Sequence, residues 1–360
     1  MFLAACGGGD GGGSTGTINV GLTDASTTDY QAIYVTIKQV EVHKDGGGGW
    51  DVISTPNKTY NLLDLVNGVR EDLALATLAT GHYTQMRLIL TNDPDSSLNI
   101  LSVKHPYGNY FINDSGQSIE LKVPSGFQTG IKIVKGFDIN ANQTTDLILD
   151  FDAVRSIVKA GSSGQWLLKP TIKVLETKDC SIIEGNAGAA GVLVSAQTYN
   201  SSAPSAEDKV QIEAATVSDA SGNYKLFLAP GSYTLVGYKE GFLPFYKSTK
   251  VETEAGHTYT ENFSLVSASS TGTLTGTVSI SGATPEQYAT ISIRQDATVG
   301  INLEQIEVKS LNVANGGTFS ISSLPVGNYT AVISTYEKTA VQSSFSIVLN
   351  QTTDIGSITF

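Results

Sequence analysis

A chain of 360 residues with 40% hydrophobic and 16% charged side chains is too long for one ordinary core and has the composition of an ordered protein of two or three domains. Its 34 acidic against 22 basic residues leave a formal net charge of -12, which repels phosphate backbones over most of the surface and excludes nucleic acid as an expected partner. Two cysteines, Cys6 and Cys180, give neither a disulfide framework nor a thiolate set for structural zinc, and no apolar run approaches the roughly 20 residues that span a bilayer as a helix.

Leu3-Ala4-Ala5-Cys6 places a branched apolar residue and two small ones before a thiol, and resembles the lipobox of bacterial lipoproteins. The resemblance implies lipidation at Cys6 and a membrane partner, with the protein anchored at a bacterial outer membrane or cell surface; the side it faces, periplasm or medium, stays open. Only five residues precede Cys6, whereas a signal peptide needs an apolar stretch of roughly 7 to 15 residues, so the true start is expected upstream. The tract GGGDGGGSTG that follows is a flexible polar tether; residues 1–16 are read as signal remnant and tether.

From residue 17 onward, short alternating segments bounded by Gly, Asn, Asp, Ser and Pro predict an all-β fold, with three tandem sandwiches of immunoglobulin-like or transthyretin-like type. In the first unit, 17–178, Ile33, Val35 and Ile37 share one parity and Val40 and Val42 the other, which predicts a bulge near Lys38 and Gln39. Met86, Leu88 and Leu90 form a second core stripe; Ile119, Leu121 and Val123 a third; Leu147, Leu149 and Phe151 a fourth. Glu71 to Ala79, rich in Ala with Leu75 and Leu78 three apart, predicts a short helical turn. The blocks GLTDASTTDYQAIYVTIKQVEVH, YNLLDLVNG, GHYTQMRLIL, LKVPSGFQTGIKIVKGFDINANQTTDLILDFDAVRSIV and WLLKPTIKVLE resemble, in order and spacing, the bacterial domain of unknown function 4382 found in envelope lipoproteins. Ser26 stands where proline is usual in that family, and the resemblance implies no established activity.

The remainder contains a repeat. SGNYKLFLAPGSYTLVGY from Ser221 aligns with GGTFSISSLPVGNYTAVIS from Gly316, which divides it into units 179–267 and 268–360. In the shared turn, Pro230 and Pro325 stiffen the approach, Gly231 and Gly327 supply backbone angles closed to other residues, and Tyr233 and Tyr329 return to the core, so a hairpin is predicted. The middle copy resembles the carboxypeptidase regulatory-like domain, which implies a transthyretin-like, carbohydrate-binding-like sandwich; the last copy is a weaker match, lacking the pair Gly237 and Tyr238.

Catalytic machinery is not expected. His43, His82, His105 and His257 are scattered and read as solvated residues, no G-x-S-x-G elbow or P-loop occurs, and no cofactor or catalytic residue is assigned. Asp24, Asp29, Asp93 and Asp95 are candidate oxygen ligands for calcium, and Asp24 is also expected to pair with Arg155. Tyr107, Tyr110 and Phe111, and likewise Phe242, Phe245 and Tyr246, form aromatic clusters that either close the end of a sandwich or bind flat sugars. Cys180 is read as unpaired in a linker and receives no role. The expected function is binding, adhesion or assembly with an envelope protein or glycan partner, the alternatives being a carbohydrate-binding accessory protein and a hydrolase that these motifs do not reveal.

Overall fold

A computed structural model describes residues 14–25, 30–123, 130–160, 165–282 and 287–360. Cys6, Ser26 and Asp29 lie outside the described residues. The fold is all-β: among the described residues the α-helix Ala153–Ser156 and three short 3-10 turns accompany strands that form two-layer sandwiches.

In the first sandwich, one sheet has the strand order Ile172–Glu176, Thr144–Asp152, Thr15–Ala25, Glu71–Ala79. The other is built on Ala32–Lys44, flanked by Gly81–Leu90 and Asn109–Ile112. Their inner faces enclose the core, where Ile18, Val20, Leu22, Leu88, Leu147 and Leu149 are fully buried. The expected bulge is present: Ile37 pairs with Leu90 and Gln39 with Ile89, leaving Lys38 unpaired, so that Ile33, Val35, Ile37, Val40 and Val42 are all buried despite their change of parity.

Glu71–Ala79 corrects an expectation, because it is a strand and not a helical turn. It pairs antiparallel with Thr15–Ala25, and a register shift at Val20/Gly21 lets neighbouring Leu73 and Ala74 both turn inward while Leu75 faces solvent. Three-residue leucine spacing therefore came from a bulged strand, and sheet pairing overrode a weak helix propensity.

The second sandwich places Ser181–Asn186 between Asn223–Leu228, antiparallel, and Thr258–Thr260, parallel. The third places Thr271–Ser279 between Thr318–Pro325, antiparallel, and Thr352–Thr359, parallel. The first does the same with Thr15–Ala25 between Glu71–Ala79, antiparallel, and Thr144–Asp152, parallel. In each, the next long strand pairs antiparallel with the strand that opens on a Gly-x-Tyr-Thr sequence: Ala32–Lys44 with Gly81–Leu90, Leu193–Tyr199 with Gly231–Tyr238, and Tyr288–Val299 with Gly327–Thr335. All three sandwiches thus share one plan, and the first is an enlarged version of the other two.

The turn itself is a corner and not the predicted hairpin, since the strands on its two sides belong to different sheets in every copy. It reads Gly81-His82-Tyr83-Thr84, Gly231-Ser232-Tyr233-Thr234 and Gly327-Asn328-Tyr329-Thr330. In each copy the buried tyrosine hydroxyl donates to the carbonyl four residues earlier: Tyr83 to Ala79 at 3.0 Å, Tyr233 to Ala229 at 2.7 Å and Tyr329 to Pro325 at 3.0 Å. That bond pins the outgoing strand to the end of the incoming one, in the manner of a tyrosine corner. The glycine has a different role from the one expected. Gly81 does take a positive φ of 138°, but Gly231 does not, and it is required because a Cβ there would stand 2.7 Å from the Tyr233 hydroxyl.

Replacement of Tyr83, Tyr233 or Tyr329 by Phe removes one buried hydrogen bond and leaves a carbonyl without its partner, so each variant is expected to lose about 1 kcal/mol in chemical denaturation. Unchanged midpoints would show that the corner bonds do not stabilise the fold.

Candidate functional site at the junction of the three sandwiches

Although consecutive in sequence, the sandwiches are not strung out. Strand Asn302–Ala314 of the third lies against strands of the second and against the helix and edge strand Ile157–Ala160 of the first. Its middle is held by a side chain acting as a backbone: Gln197 Oε1 accepts from the Glu307 N–H at 2.9 Å, and Gln197 Nε2 donates to the Glu307 carbonyl at 2.7 Å. The Glu307 carboxylate in turn accepts from Ser292 at 2.6 Å and faces Arg155 of the first sandwich at 3.5 Å. Arg294, only 2% exposed, crosses to the second sandwich and donates to the carbonyls of Ala206 and Glu207 at 2.7 and 3.1 Å. Lys250 meets Glu304 at 3.1 Å and Lys309 meets Glu240 at 2.8 Å. Apolar contacts accompany these bonds, because Val236 and Tyr238 of the second sandwich join the core of the third, and Val158 and Leu167 of the first pack with Ala314.

The outer face of the first sheet completes the junction. Gly21 leaves room for the Arg70 side chain, which crosses the sheet to a two-point contact with Asp146; Asp146 also accepts from Asn19 and Thr177, and the Arg70 bond first of all holds its carboxyl below the usual range. Lys173 donates to the carbonyls of Ile212 and Glu213 in the second sandwich at 2.6 and 2.7 Å. Asp150, opposite Lys173 in register, is pushed up to about 7 by burial and by the neighbouring charge of Asp152, with Lys173 pulling the other way.

The expected Asp24–Arg155 pair is not formed. Asp24 is buried at the end of its strand, where Oδ1 accepts from the Ala153 N–H at 3.1 Å, and Arg155 faces Asp152 and Glu307 instead. Burial, together with Asp150 and Asp152, raises the Asp24 carboxyl well above the ordinary range, while Arg155 lies between Asp152 and Glu307 of the third sandwich. Among the described residues no group of three acidic, His or Cys side chains is arranged to hold a metal. Asp93 is exposed, and Asp95 instead accepts from the N–H groups of Thr59 and Ser97, so the calcium reading of Asp24, Asp93 and Asp95 finds no ligand cage.

The aromatic candidates are dispersed. Tyr110 and Phe111 are buried and only Tyr107 is exposed. Phe245 stacks on Phe263 at 4.2 Å, Tyr246 packs on the core of the third sandwich, and Phe242 is half-buried. These rings close sandwich ends and make no flat platform. His105, expected in solvent, is buried. A consistent donor order runs from Asn99 Nδ2 to the Tyr110 hydroxyl, from that hydroxyl to His105 Nδ1, from Nε2 to Ser97 and from Ser97 to Asp95. Burial lowers the imidazole pKa, with Asp95 pulling the other way. The Ser97 proton is committed to Asp95 at 2.5 Å, so this Ser–His contact staples a loop and does not present a nucleophile. Cys180 is buried and free, its thiol donating to the Glu176 carbonyl, and burial pushes it up to about 11.

Reading the sequence did not foresee a cleft of 420 Å³ between the first and third sandwiches. One wall carries Tyr30, Lys159 and Trp166, and the other Asn312, Thr318 and Ser320. Tyr30 and Trp166 meet edge-on at 6.4 Å, and the Lys159 ammonium lies 5.6 Å from the Trp166 ring. The two walls are more than 140 residues apart in sequence, so no local pattern could have joined them.

Asp150 gives the junction a pH dependence whose sign is fixed. Its folded pKa lies above the value of an unfolded Asp, so the stability it confers is full below about 4 and is lost as pH rises through about 7. The melting temperature of Asp150→Asn is expected to fall less than that of the parent between those limits; identical slopes would disprove the assignment.

Comparison with known proteins finds one family model, matching residues 15–170. No curated protein matches the chain. Among solved structures, the TIE protein of Bacillus anthracis is 14% identical over 96% of this chain and 51% of its own, with a TM-score of 0.20, so that the chain spans about half of that protein. The minor pilin GBS52 of Streptococcus agalactiae is 14% identical over 50% of this chain and 94% of its own, with a TM-score of 0.20, and a Streptococcal ancillary pilin is 9% identical over 94% and 98%, with a TM-score of 0.20. Likenesses this distant carry no argument about what the chain binds. Residues 15–170, which make up most of the first sandwich, match the family described as "Domain of unknown function (DUF4382)".

Proposed function

We propose that the protein is a non-catalytic module of a bacterial envelope, anchored through a lipid on Cys6 and acting by binding to an envelope protein or glycan at the outer membrane or cell surface. The observation that carries this reading is the junction. Side chains from all three sandwiches are committed to fixing mutual orientation, among them Gln197, Arg294, Glu304 and Glu307, and such rigidity serves a surface composed of more than one domain. The lipobox-like Leu3-Ala4-Ala5-Cys6 and the glycine tether support attachment.

A narrower reading, carbohydrate binding, is favoured by the cleft between the first and third sandwiches. Its half-buried Trp166 and Tyr30 offer apolar ring surface and Thr318 and Ser320 offer hydroxyls, a combination suited to the apolar faces and polar rim of a sugar. The Cys6→Ser full chain is expected to be retained on a glycan array and Trp166→Ala to lose that retention. Retention unaffected by Trp166→Ala would remove the cleft from the account. The broader reading is tested by a pull-down from envelope extracts: Gln197→Ala with Glu307→Ala, which uncouples the sandwiches, is expected to recover less partner than the parent and to be cut faster by protease near residues 177–180 and 268–270. Equal recovery and equal cleavage would show that the fixed arrangement is not what the partner reads.

A further inference from the structure

The connection between strands Gly81–Leu90 and Asn109–Ile112 is inside out. Leu98, Ile100, Leu101 and Val103 are between 43% and 59% exposed and Tyr107 is 38% exposed, five large apolar side chains within ten residues. The interior of the same loop is polar. Asn99 is buried, its Oδ1 accepting from the N–H groups of Leu101 and Val103 and its Nδ2 donating to the Tyr110 hydroxyl. Tyr34 accepts from the Ile100 N–H at 2.8 Å, and His105 bridges Tyr110 and Ser97. Backbone bonds from Asn99 to Val103 and from Ser102 to Asn99 close a tight turn, with Ser102 at a φ of 60°. The loop is therefore not a collapsed apolar segment that failed to find cover. Its fold is carried by buried hydrogen bonds while the apolar side chains are held outward, an arrangement that leaves apolar area in water and marks an interaction surface.

Shape and charge select the partner. The apolar groups sit on the outside of the turn, an arrangement that suits a phase that yields around them. Residues 96–108 include Lys104 and no acidic residue; of the two acids that precede them in the same connection, Asp95 is engaged by the N–H groups of Thr59 and Ser97 and Asp93 is exposed. A cation among apolar side chains fits the boundary between acyl chains and anionic headgroups, where apolar groups enter and an ammonium remains at the surface.

We propose that the turn Leu98–Tyr107 inserts into the interfacial region of a lipid bilayer, with Leu98, Ile100, Leu101 and Val103 entering the apolar zone and Lys104 meeting anionic headgroups. This contact is separate from the Cys6 anchor. Ser14 hydrogen-bonds Thr80 beside Gly81, whereas the turn follows Leu90 at the other end of that ten-residue strand, about 30 Å away at the rise of an extended chain. A chain held at both points lies along the membrane instead of standing off it.

The test uses the full chain as Cys6→Ser, which carries no acyl group, and vesicles of phosphatidylethanolamine with phosphatidylglycerol or of phosphatidylcholine alone. Cosedimentation is expected with the anionic vesicles, and Ile100→Ser with Leu101→Ser is expected to lower the partition coefficient about tenfold or more. Lys104→Glu should weaken binding to the anionic vesicles alone. The same double serine change at Ile301 and Leu303, exposed on a hairpin tip of the third sandwich, should leave binding unaltered. These residues are on the surface, so melting temperatures of all variants should match the parent and separate a binding loss from unfolding. Absence of cosedimentation by the parent, equal binding by the Ile100 and Leu101 variant, or equal loss at the Ile301 and Leu303 tip would overturn the proposal. Capture of a protein partner with no affinity for vesicles would assign the turn to that partner and equally reject insertion.

Discussion

The amide of Gln197 paired with the backbone of Glu307 is the contact on which the arrangement of the molecule rests. A side-chain amide reproduces the donor and acceptor of a peptide group, so it satisfies an edge that another strand would otherwise have to cover. Around it the junction adds Arg294 on two carbonyls, Glu307 between Ser292 and Arg155, and an apolar layer that includes Val236 and Tyr238. Gln197, Arg294, Ser292 and Glu307 each have a partner, which costs less than leaving them unpaired and confers a fixed geometry that apolar packing alone specifies poorly, while the buried Tyr238 hydroxyl has no hydrogen-bond partner among the described residues. Three small sandwiches become one body because their shared surfaces are built this way.

Much of the architecture was legible in the sequence, for reasons that can be named. Alternation in AIYVTIKQVEVH required a bulge and the bulge is there, at Lys38. The repeat Gly-x-Tyr-Thr was legible in the last two sandwiches, yet its third copy at Gly81 passed unnoticed, because the surrounding strands are longer and their insertions obscure the common plan. Whether that turn is a hairpin or a corner depends on which sheet the next strand joins, a question of tertiary pairing that local residues do not answer. Glu71–Ala79 misled for a similar reason, since a bulged strand imitates helical spacing.

The candidate site was less legible. Aromatic side chains stand out in a sequence whether they are buried or exposed; Tyr110 and Phe111 are buried and Phe245 is half-buried on Phe263. The cleft depends on Trp166 and Tyr30 meeting a strand from the third sandwich, a meeting created by the junction. Asp24 lies on the N–H of Ala153, two residues from Arg155, but burial disfavours the charged carboxyl and the guanidinium finds a partner in another domain. In both cases the decisive quantity is desolvation, which residue type and spacing do not encode.

The parallel pairing at the centre of each sandwich also bears on how the chain reaches this state. Thr15–Ala25 must await Thr144–Asp152, Ser181–Asn186 must await Thr258–Thr260, and Thr271–Ser279 must await Thr352–Thr359. Each opening strand is closed by one that is synthesised late within its unit, so the contact order is high and no sandwich can complete its central sheet until that later strand has emerged. Such wiring delays acquisition of the native state, and keeps the chain threadable until most of a unit has emerged.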